Sequence, residues 1–241
     1  RALWCCRPGA AIQVAARARR GLAGSRFSHD EDREMTEITR WWWVRHAPVV
    51  GHEGRIYGAS DVPADVSDGN GFRTLAARLP ENAVWVTSHL SRARDTAEAI
   101  AAAGLEIGEV SVERDLSEQN FGDWQGRTYA ELEADLTVLE NHKFWIAPAR
   151  HRPPGGESFV EVFDRVAAVI ERLTAEHGGR DIVAVAHGGS IRAALAHALG
   201  LDPDRALGFA TENLSTTRID HLPGPGLGGN WRVAFVNRCP E

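Results

Sequence analysis

The sequence predicts an α/β protein, a three-layer α/β/α sandwich around a mostly parallel central sheet. Three observations carry that expectation. Apolar runs at 41–44, 83–86 and 182–186 have strand length and lack polar alternation, as strands covered on both faces do. The second and third runs each lead through a short loop into a stretch of helical period, which is the βα unit of a parallel sheet. The first and third are followed by a histidine, His46 and His187. They deliver an imidazole to the carboxyl edge of the sheet, where open α/β sheets bind ligands.

Taken in order, Trp41-Trp42-Trp43-Val44 is the first buried strand, since bulky aromatics suit a pleated surface. Pro48 stops it, because proline cannot continue a ladder. Residues 49–68 form a long polar loop with Arg55, Tyr57 and Asp61, of the kind that tends to be functional. Phe72, Leu75, Ala76 and Leu79 fall at helical spacing and end at Pro80. Residues 83–88 make the second strand. A helix over 91–103 follows, closed by Gly104, with Ser88 or Ser91 expected to cap its start. Residues 110–113 are a third strand, and a helix is expected over 128–139. The stretch 141–157 is irregular, aromatic at Phe144 and Trp145 and punctuated by Pro153-Pro154-Gly155-Gly156, and it suits a cap over a site. Ser158 and Glu161 form a capping box for a helix over 158–176, whose Val162, Val166, Val169, Ile170 and Leu173 share one face. The strand over 181–186 then passes through His187-Gly188-Gly189-Ser190 into a helix ending at Leu199, whose first N–H groups suit an anion. A further helix from about Pro203 and strands over 215–221 and 231–236 complete the domain.

Composition bounds the rest. With 241 residues, 43% hydrophobic and 25% charged, the chain fits one large α/β domain, and no apolar run approaches membrane-spanning length. Its three cysteines, two of them adjacent at Cys5-Cys6, exclude a disulfide scaffold and a cysteine zinc site and fit a reducing, cytoplasmic compartment. Lys143 is the only lysine and follows no glycine-rich loop, which argues against a phosphate-loop triphosphatase. Arginine supplies the remaining cations, and its planar fork suits bidentate recognition of phosphate.

Residues 1–29 are rich in arginine and alanine and contain no acidic residue. The reading is that translation naturally starts at Met35, the only methionine, and that 1–34 is upstream sequence; an organellar targeting segment is the alternative. The folded domain is then 35–241. Without the seven arginines and four acidic residues of 1–34, the 27 basic and 33 acidic residues fall to 20 and 29, a net charge of −9. So acidic a body is unsuited to nonspecific nucleic-acid binding.

The chemistry-bearing residues are Arg45-His46, Arg92 at the head of a βα helix, Glu118 after the third strand, and His187. In order and context they resemble the histidine phosphatase superfamily, with its phosphoglycerate mutase-like fold. The resemblance rests on Arg45-His46-Ala47, on Thr87-Ser88-His89-Leu90-Ser91-Arg92-Ala93-Arg94-Asp95-Thr96-Ala97, and on Leu116-Ser117-Glu118 followed by Phe121-Gly122-Asp123-Trp124-Gln125-Gly126. Pro154-Gly155-Gly156-Glu157-Ser158 and Ala186-His187-Gly188-Gly189 complete it, over residues 38–236. It implies a covalent phosphohistidine on His46, a phosphoryl group held by Arg45, Arg92, His187 and N–H groups near Gly188, and Glu118 as general acid and then base. It implies no cofactor and no metal. Arg55, Tyr57, Ser88 and Asn213 are expected as further substrate contacts, whereas Arg94 and the other histidines are read as structural or solvated.

The sequence departs from the family at Ala47, where glycine is usual, at Pro48, which can donate nothing to substrate, and at His89, Asp95 and Gln125. It looks more like the phosphatase branch, including α-ribazole phosphatase-like proteins, than a glycolytic mutase, because 125–155 is short for a mutase lid. The expected partner is a small phosphorylated metabolite, with neither nucleic acid nor membrane. A mutase, a catalytically silent phospho-ligand binder and a metal-dependent hydrolase are the alternatives. The oligomeric state is not legible in the sequence.

Overall fold

The structure is a computed structural model and describes residues 38–52 and 54–240; the segment 1–34 lies outside the described residues. Its strands are β1 (Thr39–Arg45), β2 (Val84–Thr87), β3 (Val110–Val112), β4 (Asp181–Ala186), β5 (Thr216–His221) and β6 (Trp231–Arg238). They form one sheet of order β3-β2-β4-β1-β5-β6. The first four run parallel, while β5 and β6 are antiparallel additions at one side. Among the described residues no helix is long and apolar enough to cross a membrane.

Alternation along the central strands sorts their side chains onto two faces. Trp41, Trp43, Ile182 and Ala184 pack against helices α4 (Phe159–Glu176) and α5 (Gly188–Leu199). Val44, Trp85, Val183 and Val185 pack on the opposite face against α1 (Gly69–Ala76) and α2 (Ser91–Ala102). These are the three layers. The tryptophans bring polar indoles into the core, and two find partners: Trp41 donates to Thr174 Oγ1 (2.9 Å) and Trp42 to Asp181 Oδ1 (2.8 Å).

Register places the site. β1 pairs with β4 so that Arg45 lies opposite Ala186, and the His46 N–H donates to the Ala186 carbonyl (3.0 Å). The next residue on each strand is a histidine. His46 and His187 therefore leave the same sheet edge side by side.

Two local expectations are corrected. The helix expected over 128–139 shrinks to α3 (Glu133–Leu136), a single turn that buries no residue of its own. Thr128 and Glu131 do cap one another, but a helix in a protein persists by burying a face, and here only Leu132 is drawn fully into the small core of Ile56, Phe121, Trp124 and Ala147. The start of α2 is also capped differently. Its N-cap is Leu90, with no side-chain cap of its own, and the Ser91 N–H donates to Asp61 Oδ1 (2.7 Å) from the long loop. The capping box of Ser158 and Glu161 on α4 forms as expected. Helix α6 (Pro203–Ala206) is a single turn capped by Asp202.

Candidate active site

His46 is fully buried, and its ring orientation follows from one hydrogen bond. Nδ1 lies 2.6 Å from the Ala47 carbonyl, which can only accept, so Nδ1 carries the proton and donates it. The lone pair is then on Nε2, which is buried and has no partner. Ala47 serves here as well as glycine would. Its φ is not positive, its N–H donates to Thr96 Oγ1 (2.9 Å), and its side chain is buried in the core. Burial, followed by the charges of Arg92 and Arg45, holds the His46 pKa well below the usual histidine value. The ring is neutral at physiological pH.

His187 stands beside it, with ring centroids 5.1 Å apart. Its Nε2 lies 2.7 Å from Ser88 Oγ, and that oxygen already accepts the Leu90 N–H (3.2 Å). Ser88 Oγ keeps one lone pair and its proton for Nε2; with the hydroxyl donating, the ring proton lies on Nδ1, which is buried and unpartnered. Burial and then Arg92 hold this imidazole well below its usual pKa also, so it donates as a neutral group.

Arg92 enters from the first turn of α2 and is fully buried. It donates to the Ser60 (2.7 Å) and Gly58 (2.6 Å) carbonyls, and its guanidinium lies 5.1 Å from the Tyr57 ring centre. This one side chain pins the 49–68 loop to the sheet edge. Arg45 donates to the Thr211 carbonyl. The Nε of each arginine is buried without a partner.

Glu118 reaches the same place from a different direction. It follows a 3-10 turn (Arg114–Leu116), and its carboxyl group accepts the Gly189 N–H (3.0 Å) at the start of α5. Glycine at 189 lets the carboxyl group come this close, because a Cβ there would push Glu118 Oε1 aside. Arg165 on α4, which the sequence reading missed, fixes this segment. It donates to the carbonyls of Asp115, Ser117 and Glu118 and pairs with Glu157 (2.8 Å), whose Oε1 accepts the Asn120 N–H. Those partners lie 8 to 50 residues away, and nothing local in the sequence signals them.

A cavity of about 440 Å³ opens over Arg45 and Glu118, with Arg55, Tyr57, Phe144 and Trp145 in its wall. Arg55 and Tyr57 therefore stand where substrate contacts were expected, although Arg55 also donates to the Gly126 carbonyl (2.7 Å) and lies 3.6 Å from Glu131. Ser88 and Asn213 are placed otherwise. Ser88 holds His187, and the Asn213 amide donates to the His46 carbonyl (2.8 Å), so both orient the histidines. Gly188 is buried at the first position of α5, while the N–H of its neighbour Gly189 is taken by Glu118.

The sequence matches the histidine phosphatase superfamily, branch 1, over residues 41–231, and the chain belongs to that family. It is an enzyme of the histidine phosphatase class. A glucosyl-3-phosphoglycerate phosphatase of Mycolicibacterium vanbaalenii is 37% identical over 226 residues, covering 85% of this chain and 96% of that one. A protein of the same name from Mycobacterium tuberculosis is 40% identical over 236 residues, covering 90% and 89%. The solved mycobacterial glucosyl-3-phosphoglycerate phosphatase superposes with a TM-score of 0.69 at 28% identity, covering 83% of this chain and 99% of that chain. A putative α-ribazole-5'-P phosphatase of Escherichia coli, at 23% identity and a TM-score of 0.67 over 83% and 96% of the two chains, shares the fold.

Proposed function

We propose that the domain from residue 35 onward hydrolyses a small phosphomonoester through a phosphohistidine on His46. One observation carries this reading. Among the described residues ten buried side-chain polar atoms lack a partner, and four of them, Arg45 Nε, His46 Nε2, Arg92 Nε and His187 Nδ1, belong to this one cluster. Buried polar groups are normally satisfied, so three donors and one lone pair left open together fit a missing ligand rich in acceptor oxygens. A phosphoryl group is such a ligand.

In the first step the His46 Nε2 lone pair forms a bond to phosphorus as the ester P–O bond breaks, and protonated Glu118 gives its proton to the leaving oxygen. Arg45, Arg92 and neutral His187 donate to the three equatorial oxygens, where the transition-state charge spreads. In the second step water attacks phosphorus, its proton passes to the Glu118 carboxylate, and the N–P bond breaks to return a neutral imidazole. Arginines provide the positive charge in this scheme, so activity should persist in a chelator. A reducing, cytoplasmic setting belongs to the same reading; Cys239 is a free thiol.

The names of the relatives support a phosphorylated sugar acid as the first substrate class to test. The test is release of inorganic phosphate from glucosyl-3-phosphoglycerate and smaller monoesters without any bisphosphate primer, with His46→Ala as control. Primer-independent release that His46→Ala abolishes is expected. Isomerisation that needs a primer would point to a mutase, and binding without turnover to a silent member of the fold.

A further inference from the structure

One enclosed cation near the site has no ion-pair partner among the described residues. Arg192 lies on α5, five residues beyond His187, and its guanidinium lies 4.8 Å from the Trp145 ring centre. Its Nε donates to the Phe209 carbonyl (2.9 Å), and among the described residues it forms no ion pair. Burial pulls its pKa down to about 10; Glu118 and Glu212 oppose that fall and Arg45 adds to it. An enclosed guanidinium without a contact ion pair is costly, and a neighbouring guanidinium makes it more so. The short segment from Phe209 to Thr211 nevertheless holds both in place, taking Arg192 on the Phe209 carbonyl and Arg45 on that of Thr211.

The space beside Arg192 has a defined shape. The point where a Cβ on Gly188 would sit lies 2.9 Å from Arg192 Nη1, 3.3 Å from Thr211 Oγ1 and 3.7 Å from Glu118 Oε2. Thr211 Oγ1 is itself buried and unpartnered. A bare glycine thus leaves room for a guanidinium edge and a free hydroxyl to meet next to Glu118. Arg192 Nη1, the Thr211 hydroxyl and Glu118 Oε2 converge on the face of Gly188, so Arg192 stands beside the group that protonates the leaving oxygen.

We propose that Arg192, with the Thr211 hydroxyl, binds a carboxylate on the leaving group, so that the enzyme selects phosphate esters of hydroxy acids over those of neutral alcohols. This rests on the reading that Glu118 protonates the leaving oxygen. A carboxylate fits because Trp145 covers one face of the guanidinium and Phe209 occupies Nε. The edge that remains is planar and suits a planar two-oxygen acceptor.

The test is kcat/KM for 3-phosphoglycerate and for glycerol 3-phosphate, which differ in a carboxylate against a hydroxymethyl group, with p-nitrophenyl phosphate alongside. Wild-type enzyme is expected to prefer the carboxylate by at least about tenfold, the range of one charge-assisted contact. In Arg192→Gln that preference should fall to near one. Thr211→Val, which removes only the hydroxyl, should reduce it severalfold and keeps the test open if the arginine variant does not fold. Equal wild-type efficiency on the matched pair, or equal losses on all three substrates in Arg192→Gln, would overturn the inference while leaving the phosphatase reading intact. Hydrolysis of no monoester by the wild type would overturn both.

Discussion

The sheet edge and the segment above it are made differently. Below, His46 and His187 extend directly from two paired strands, sit fully buried, and have their rings held by the Ala47 carbonyl and the Ser88 hydroxyl. Above, residues 125–147 contain one helical turn, and Tyr129 and Phe144 are more than half exposed in the cavity wall. The lower region is fixed before any ligand arrives. The upper one is held by the small cluster around Trp124 and Leu132 and by hydrogen bonds of short turns. Preorganised strand ends suit a reaction whose groups must not move, and a loosely built wall suits the choice of leaving group. Changes below should therefore cost turnover, and changes above should alter which ester is turned over.

The largest effect that sharpens this contrast without touching an ionisable group is Gly189→Ala. The new Cβ would displace the Glu118 carboxylate from the α5 N-terminus, and kcat should fall about 10²- to 10³-fold, the usual contribution of a general acid, while the protein stays folded. Steady-state kinetics together with a melting curve check this. Loss of stability with kcat retained in the folded fraction would mean that Glu118 does not need this perch.

Next comes Ser88→Ala. Without the hydroxyl, nothing assigns the His187 proton to Nδ1, and kcat should drop about 10- to 100-fold, as when an orienting partner is removed from a ligating histidine. An aryl phosphate and a sugar phosphate should lose the same factor. Unequal losses would move Ser88 to substrate selection.

Acid should act on the lower region in a predictable direction. Both histidines have folded pKa values well below 6.5, so the unfolded chain binds more protons than the folded one between those values and 6.5. Their contribution to stability is complete above 6.5 and falls with pH below it, by up to about 1.4 kcal/mol per pH unit for each ring until the folded pKa is reached. Urea unfolding at pH 7.5 and 5.5 should show a smaller acid loss for His187→Gln than for wild type. An equal loss would contradict a buried neutral ring.

The smallest effect belongs to the upper wall. Phe144→Ala should alter KM severalfold, by a factor that differs between substrates, and leave kcat within about twofold, because the lost contact is made equally in ground and transition states. A large uniform fall in kcat would erase the distinction between the two regions.

The same division governs what could be read from the sequence. The strands were legible because Trp41 to Val44 and Ile182 to Ala186 are continuous apolar runs, and each histidine follows its strand directly. Side-by-side placement then needed only the parallel register of β1 and β4. The helix expected over 128–139 shrinks to one turn because the segment has too little burial to hold a longer one. The cap of α2 from Asp61 and the support of the Glu118 segment by Arg165 join residues 30 to 50 apart, which periodicity does not report. Arg192 lies four residues from Gly188 on the same helical face, but that it has no ion-pair partner among the described residues is visible only in three dimensions.

Trapping decides whether the open lone pair of His46 becomes a covalent carrier. Enzyme mixed with a slowly hydrolysed aryl phosphate and quenched in alkali within the first turnover should carry one phosphoryl group, acid-labile and base-stable, on the peptide containing His46. It should be absent from His46→Ala and should decay at a rate matching phosphate release. Full phosphate release with no labelled His46 at any quench time would contradict the account, because water would then attack the ester directly.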